Sequence, residues 1–143
     1  MTTTPVDTTT ATTDEEQVRI LLERWFTAVQ EADLAGVLAG HADDIVMFDV
    51  PPPDAGVRGR DAYRATWPPF LEWQSGDGVF ELVELDVTVG DTVAFAWALL
   101  RCGPASEVAA HPHQRLRLTV GLEKRSGRWV VTHEHHSFPD RTP

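Results

Sequence analysis

Apolar side chains near the start of the chain recur at helical spacing. Val18, Leu21, Leu22, Trp25, Phe26 and Val29 share one face of a helix that opens with a capping box, Thr13 as N-cap and Glu16 at its third position. Asp33 caps a second, short helix carrying Leu34, Val37 and Leu38, which ends near Gly40. The period then changes, and Ile45, Val46, Met47 and Phe48 read as a short apolar strand. Asp49 ends it, and Pro51-Pro52-Pro53 follows; proline has no N–H to donate, so ladder pairing must stop near Val50. Gly59 precedes a third helix starting near Arg60, with Tyr63 and Trp67 one turn apart. The pair Pro68-Pro69 predicts that this helix ends or kinks at Trp67.

The remainder reads as strands. Val79–Val89 and Thr92–Arg101 join through Gly90-Asp91, and Arg115–Arg125 and Arg128–His136 join through Ser126-Gly127, both two-residue hairpin signals. Residues Gly103–Pro112 form a loop between the hairpins. Helices first and antiparallel strands after is an α+β order. It predicts one strongly curved antiparallel sheet over three N-terminal helices, a cone with a pocket between helices and sheet. One domain is expected over 14–139, after a Thr-rich, disordered tail over 1–13 that carries few large apolar side chains.

Composition narrows the classes. A chain of 143 residues, 42% hydrophobic and 24% charged, suits a single soluble core. Twenty-two acids against twelve Lys and Arg give a formal charge of −10, which repels phosphate backbones and anionic membranes, so neither nucleic acid nor membrane is an expected partner. Cys102 is the one cysteine, so no disulfide framework or thiolate cluster can form. With no apolar run of membrane-spanning length and no signal-peptide core, a cytoplasmic location is expected.

Candidate chemistry begins at Asp49, an acid at the end of an apolar strand. Such a group either caps the following turn or sits at a cavity mouth, where burial would fit it for proton transfer. In the last hairpin, a turn at Ser126-Gly127 pairs Arg125 with Arg128, Thr119 with Glu134 and Arg117 with His136. One face then carries Arg117, Thr119, Gly121, Thr132, Glu134 and His136, and the other Leu116, Leu118, Val120, Val131, His133 and His135. Periodicity does not say which face looks inward. His133 and His135 share a side but find no carboxylate there, so no metal site is expected. Trp25, Trp67 and Trp97 lie on elements that would line the cone, and an aromatic wall fits a small apolar or aromatic molecule. Neither a nucleophile elbow nor a Gly-rich phosphate loop occurs.

Together these elements resemble the SnoaL-like, ketosteroid-isomerase-like branch of the NTF2-like superfamily. The resemblance rests on Ala42-Asp43-Asp44, Asp49-Val50-Pro51, Gly59, Ala94-Phe95-Ala96-Trp97, and Gly127-Arg128-Trp129 leading to His135-His136-Ser137. It implies a cone-shaped α+β barrel, a homodimer, and chemistry with no metal or organic cofactor. It places Asp49 where ketosteroid isomerases keep their general base, Thr119 at their oxyanion-hole acid, and Trp25 at their oxyanion tyrosine. Trp67 replaces another pocket tyrosine, and Glu134 falls at a carboxylate position of the related epoxide hydrolases. By this analogy the face of Thr119, Glu134 and His136 turns into the pocket, and the aliphatic row Leu116, Leu118 and Val120 is left for a dimer contact.

Trp25 and Thr119 cannot rebuild a tyrosine–acid oxyanion hole, where losing one donor costs about a hundredfold or more, so steroid isomerisation is not expected. The candidate catalytic set is Asp49, Glu134 and His136; Trp25, Trp67, Trp97, Arg117, Thr119 and Tyr63 are the candidate substrate-binding set. The function expected is a cofactor-free isomerase or cyclase acting by acid–base catalysis on a small carbonyl-bearing or polycyclic substrate. A ligand-binding protein without chemistry and a dimerisation module are the alternatives.

Overall fold

The computed structural model describes residues 12–140. Ten of its elements follow in the order α1 (Asp14–Gln30), α2 (Leu34–Leu38), β1 (His41–Phe48), β2 (Val57–Arg58), α3 (Arg60–Gln74), β3 (Gly78–Val89), β4 (Val93–Pro104), α4 (Ala105–Ala110), β5 (Leu116–Arg125) and β6 (Arg128–Ser137). The tail expected over 1–13 lies outside the described residues except for Thr12 and Thr13.

Local chemistry sets the helix ends as the pattern predicts. The Thr13 hydroxyl accepts from the Glu16 N–H at 3.1 Å, and the Glu16 carboxylate accepts from the Thr13 N–H at 3.2 Å. Asp33 Oδ1 accepts from the Gly36 N–H at 3.1 Å and starts α2. Asp14 then ties α1 to the last hairpin, accepting from Lys124 Nζ at 2.9 Å and Trp129 Nε1 at 3.0 Å.

The third helix departs from expectation: it runs through Pro68-Pro69 to Gln74. The prolines deny the carbonyls of Arg64 and Ala65 their intrahelical donors. Both residues are exposed, so water can take those carbonyls. Continuing the helix buries Trp67 and Leu71 and sets Phe70 against Trp67 and Phe80 at 5.5 and 5.9 Å. A proline inside a helix costs ~3 kcal/mol or more, and burial of such side chains at about 1.5–3 kcal/mol each offsets it.

A six-stranded sheet has the order β2-β1-β6-β5-β4-β3. Its hairpin pairings are antiparallel, but β1 lies parallel to β6, so the sheet is mixed where a purely antiparallel one was expected. The chain reaches β6 last and from the far edge, and it enters β6 running in the same direction as β1. The loop expected at 103–112 is instead the end of β4 followed by α4. None of the helices among the described residues is long and apolar enough to cross a membrane.

The inner sheet face and α1 form the core. Ala94, Ala96, Ala98 and Leu100 of β4 and Leu116, Leu118, Val120 and Leu122 of β5 are buried there with Val18, Leu22, Trp25, Phe26 and Val29 of α1. The aliphatic row Leu116, Leu118 and Val120, expected at a dimer surface, is therefore core. The expectation fails because a β-bulge between Gly121 and Leu122 on β5, with Thr132 as the extra residue on β6, puts Glu134 and His136 on the same face as this row instead of on that of Thr119. The turn keeps Arg125 opposite Arg128 as expected, but past Thr132 the register slips by one. Thr119 faces His135, Val120 faces Glu134, and Leu118 faces His136. A one-residue slip moves every following side chain to the other face.

Candidate functional site

The bulge turns Glu134 and His136 toward the helices, onto the side of Leu118 and Val120. Glu134 is only 2% exposed. A carboxylate so placed must be saturated with donors or lose its charge. Here it is saturated. His136 Nε2 lies 2.9 Å from Oε1, and Oε2 accepts from the Tyr63 hydroxyl at 2.7 Å and lies 2.6 Å from His41 Nε2. The Tyr63 hydroxyl is itself fixed by the Trp25 N–H at 3.3 Å, and its ring stacks on His41 at 4.9 Å.

Each partner arrives for a local reason. Tyr63 and Trp67 are one turn apart on the buried stripe of α3, whose N-cap Gly59 donates its N–H to the Ile45 carbonyl at 2.7 Å. Trp25 is on the apolar face of α1. His41 opens β1 four residues earlier than the apolar run suggested, and β1 bulges between His41 and Val46, which sends Asp43-Asp44 outward and His41 inward. Sequence reasoning missed His41 because the exposed Asp43-Asp44 pair hides the strand upstream of Ile45.

Electrostatics follow from burial and contacts. Burial pushes the Glu134 carboxyl up, but hydrogen bonds from His136 and His41, and their charge when protonated, outweigh it and hold it down at about 2. Burial pushes the His136 imidazole down, and the Glu134 hydrogen bond and charge, with Asp49 beyond, reverse this to a net rise. Burial drives the Tyr63 phenol well up, reinforced by the Glu134 charge, so it stays protonated.

Above this network opens a cavity of about 360 Å³. His136 is the member of the network that lines it. Asp49, Cys102 and Thr66 are its other polar side chains, among Trp67, Phe70, Phe80, Leu116 and Phe138. Strand alternation puts Asp49 on the side of buried Ile45 and Met47, and it is half-buried. It lines the cavity and also accepts from the N–H of its neighbour Val50 at 2.8 Å. Burial, then the Asp49 charge, pushes the Cys102 thiol up to about 11, which leaves it an un-ionised, poorly nucleophilic group. The indole N–H of Trp67 is buried near the Tyr63 hydroxyl without a hydrogen bond of normal geometry. Among the described residues, neither lysine nor arginine lines the cavity.

Of the predicted site residues, the structure brings Asp49, Glu134, His136, Trp25, Trp67 and Tyr63 together and leaves three outside. Trp97, Thr119 and Arg117 all lie on the outer sheet face. Trp97 pairs with Thr119, which pairs with His135, and Arg117 Nε donates to the Ser137 hydroxyl at 3.2 Å. On β4 it is Ala96 and Ala98, the neighbours of Trp97, that point inward. The inward face is thus not the one the resemblance selected for β5, although it is for Glu134 and His136. His133 turns outward too, held by the Val46 carbonyl at 2.7 Å.

The network makes stability pH-dependent. Glu134, held at about 2 against an ordinary 4.5, contributes fully above pH 4.5, a contribution lost as pH falls toward 2. His136, raised above its ordinary 6.5, contributes fully below pH 6.5, a contribution lost as pH rises through its folded value. Denaturant titrations should therefore find greatest stability between these ordinary values. Glu134→Gln should cost about 3–5 kcal/mol there and flatten both limbs, as expected when one partner of a buried ion pair is removed.

The SnoaL-like domain family matches residues 18–141. Among solved structures, an NTF2-like protein of unknown function from Pseudomonas putida KT2440 is 39% identical, with a TM-score of 0.77 over 89% of this chain and 88% of that one. A candidate ketosteroid isomerase from Shewanella frigidimarina is 16% identical with a TM-score of 0.66, covering 82% of this chain and 91% of that one. A proposed dehydratase of the NTF2-like family from Streptomyces avermitilis is 14% identical with a TM-score of 0.67, covering 95% and 99%. At those identities the last two share the fold and nothing more is carried over. Among curated proteins, none matches the chain. With its helices, its mixed six-stranded sheet and a family match across almost the whole described chain, the protein belongs to the SnoaL-like domain family and has the NTF2-like fold.

Proposed function

We propose that this chain is a cofactor-free acid–base enzyme of the isomerase or cyclase type, acting on a small, neutral, mostly apolar molecule with a carbonyl group. The observation that carries this reading is the Glu134–His136 pair, with Glu134 sealed in the core and His136 at the cavity wall. Glu134 takes Nε2, which fixes the ring and leaves Nδ1 as the nitrogen free of that contact. A neutral His136 can remove a proton from the carbon next to the carbonyl. The electron pair passes to the carbonyl oxygen, and the imidazolium formed is stabilised by Glu134 on one side and Asp49 on the other. Where a carbon–carbon double bond is conjugated with the enolate, return of the proton at its far carbon completes an isomerisation; attack by the enolate carbon on a second carbonyl, with the His136 proton passing to the alkoxide formed, completes a cyclisation.

The roles differ from those first expected. Glu134 orients and stabilises rather than removing a proton, and Asp49 supports charge across the cavity. The lining supports the substrate class: it is mostly aromatic and aliphatic, and the Asp49 charge disfavours an anionic ligand.

Hydrogen–deuterium exchange next to the carbonyl of 2-tetralone, a neutral bicyclic ketone, tests the chemistry. Exchange should rise with pH through the His136 value, above its ordinary 6.5, because the base must be neutral. His136→Gln should slow it by about 10²–10⁴-fold with ketone affinity retained. Binding without exchange in either form would favour the non-catalytic reading.

We also propose that two copies pair through the outer sheet face. Phe48 (37%) and Trp97 (36%) are exposed on the row that runs from β1 across His135 and Thr119 to β4, and Phe95 (50%) lies two residues before Trp97 on the same face of β4. Contiguous exposed aromatics of this kind mark an interaction surface. Sedimentation at micromolar concentration should give a dimer, and Trp97→Glu with Phe95→Glu a folded monomer.

A further inference from the structure

The hydrogen-bond geometry of His41 assigns it a charge. Its Nδ1 lies 3.1 Å from the Ala39 carbonyl, which can only accept, so Nδ1 carries a hydrogen. Its Nε2 lies 2.6 Å from Glu134 Oε2, and the same oxygen already accepts from the Tyr63 hydroxyl. A bare Nε2 facing a carboxylate oxygen at that distance would be repulsive, so a second hydrogen lies between them. The Tyr63 hydroxyl lies 3.1 Å from the same Nε2 but has one hydrogen, which goes to the shorter contact with Glu134 at 2.7 Å, while it accepts from Trp25. It cannot supply the missing one.

We infer that His41 is the doubly protonated histidine of the buried network, the resident cation that neutralises Glu134 and so leaves His136 free to be a neutral base. On this assignment His41 is a positioning residue that sets the proton affinity of His136 through the shared carboxylate. That consequence for catalysis rests on the reading of His136 as the base; the charge assignment itself does not.

The surroundings suit a fixed charge on His41. It faces Glu134 from β6 and Tyr63 from α3, while Leu22 and Trp25 of α1, Val120 of β5 and Val131 of β6 present only apolar surface or, for Trp25, a donor to Tyr63. His41 is 7% exposed and is not part of the cavity wall. His136, by contrast, faces Glu134, the Asp49 charge and the un-ionised Cys102 across open space, where protons can enter and leave. Holding Glu134 ionised agrees with its low position. One carboxylate thus serves two histidines, one holding its proton and the other exchanging it.

Nitrogen-15 NMR of the histidine side chains in the full chain tests this directly. His41 should show both ring nitrogens protonated at neutral pH, while His136 gains and loses its second ring proton with a midpoint raised above its ordinary 6.5. An unprotonated Nε2 on His41 at neutral pH would place the shared proton on Glu134 and overturn the assignment. In His41→Gln the amide keeps a donor toward Glu134 but no charge, so His136 should bind its proton at least about tenfold more tightly, one pH unit in its midpoint. An unchanged or lowered midpoint would overturn the coupling. If that variant does not fold, the wild-type titration still decides, and a chain that turns over no ketone would give the same titrations.

Discussion

One ionised carboxylate in the core constrains the rest of this structure. Removing Glu134 from water costs several kcal/mol even after relaxation, and only a full set of donors makes the position tolerable. Those donors come from separate elements: His136 from β6 itself, His41 from the start of β1, and Tyr63 from α3, with Trp25 of α1 holding Tyr63 in turn. The parallel pairing of β1 with β6 is what brings His41 within reach. A shift of any of these elements would strand the charge, so the polar network acts on the helices and sheet together as a registration device.

The same network shapes the chemistry. The two groups that the resemblance set at an oxyanion hole are engaged elsewhere: the Trp25 N–H is taken by Tyr63, and Thr119 faces away on the outer sheet surface. Neither is placed to polarise a carbonyl in the cavity. What remains is a hydrophobic chamber whose ionisable groups are Asp49, His136 and a protonated Cys102. The proton transfer proposed for this chain relies on that set.

Much of the fold was legible because it is written locally. Thr13 and Glu16, Asp33, and Ser126-Gly127 specify their caps and turn within a few residues, and the apolar stripe of α1 needs only its own period. Ser126 and Gly127 both take positive φ, 51° and 77°, as a tight hairpin turn requires. The site was half legible. Asp49, Tyr63, Trp67, Glu134 and His136 were found, but the face argument failed at Thr119, Arg117 and Trp97, because one extra residue at Thr132 reverses the alternation halfway along β6. A bulge leaves no local signature in a run such as Val131-Thr132-His133. His41 was hidden by a second irregularity, the outward turn at Asp43-Asp44. Both errors have the same physical origin: strand parity carries across a ladder only while the register is unbroken.

The account stands on Glu134 being ionised in the core. Selective carbon-13 labelling and NMR titration of the Glu134 carboxyl group in the folded chain measures that most directly. Its resonance should remain that of a carboxylate as pH is lowered past the ordinary 4.5, changing only toward about 2 or when the protein unfolds. Protonation of a still-folded chain at or above 4.5 would contradict the network, and with it the assignment of His136 as the oriented base.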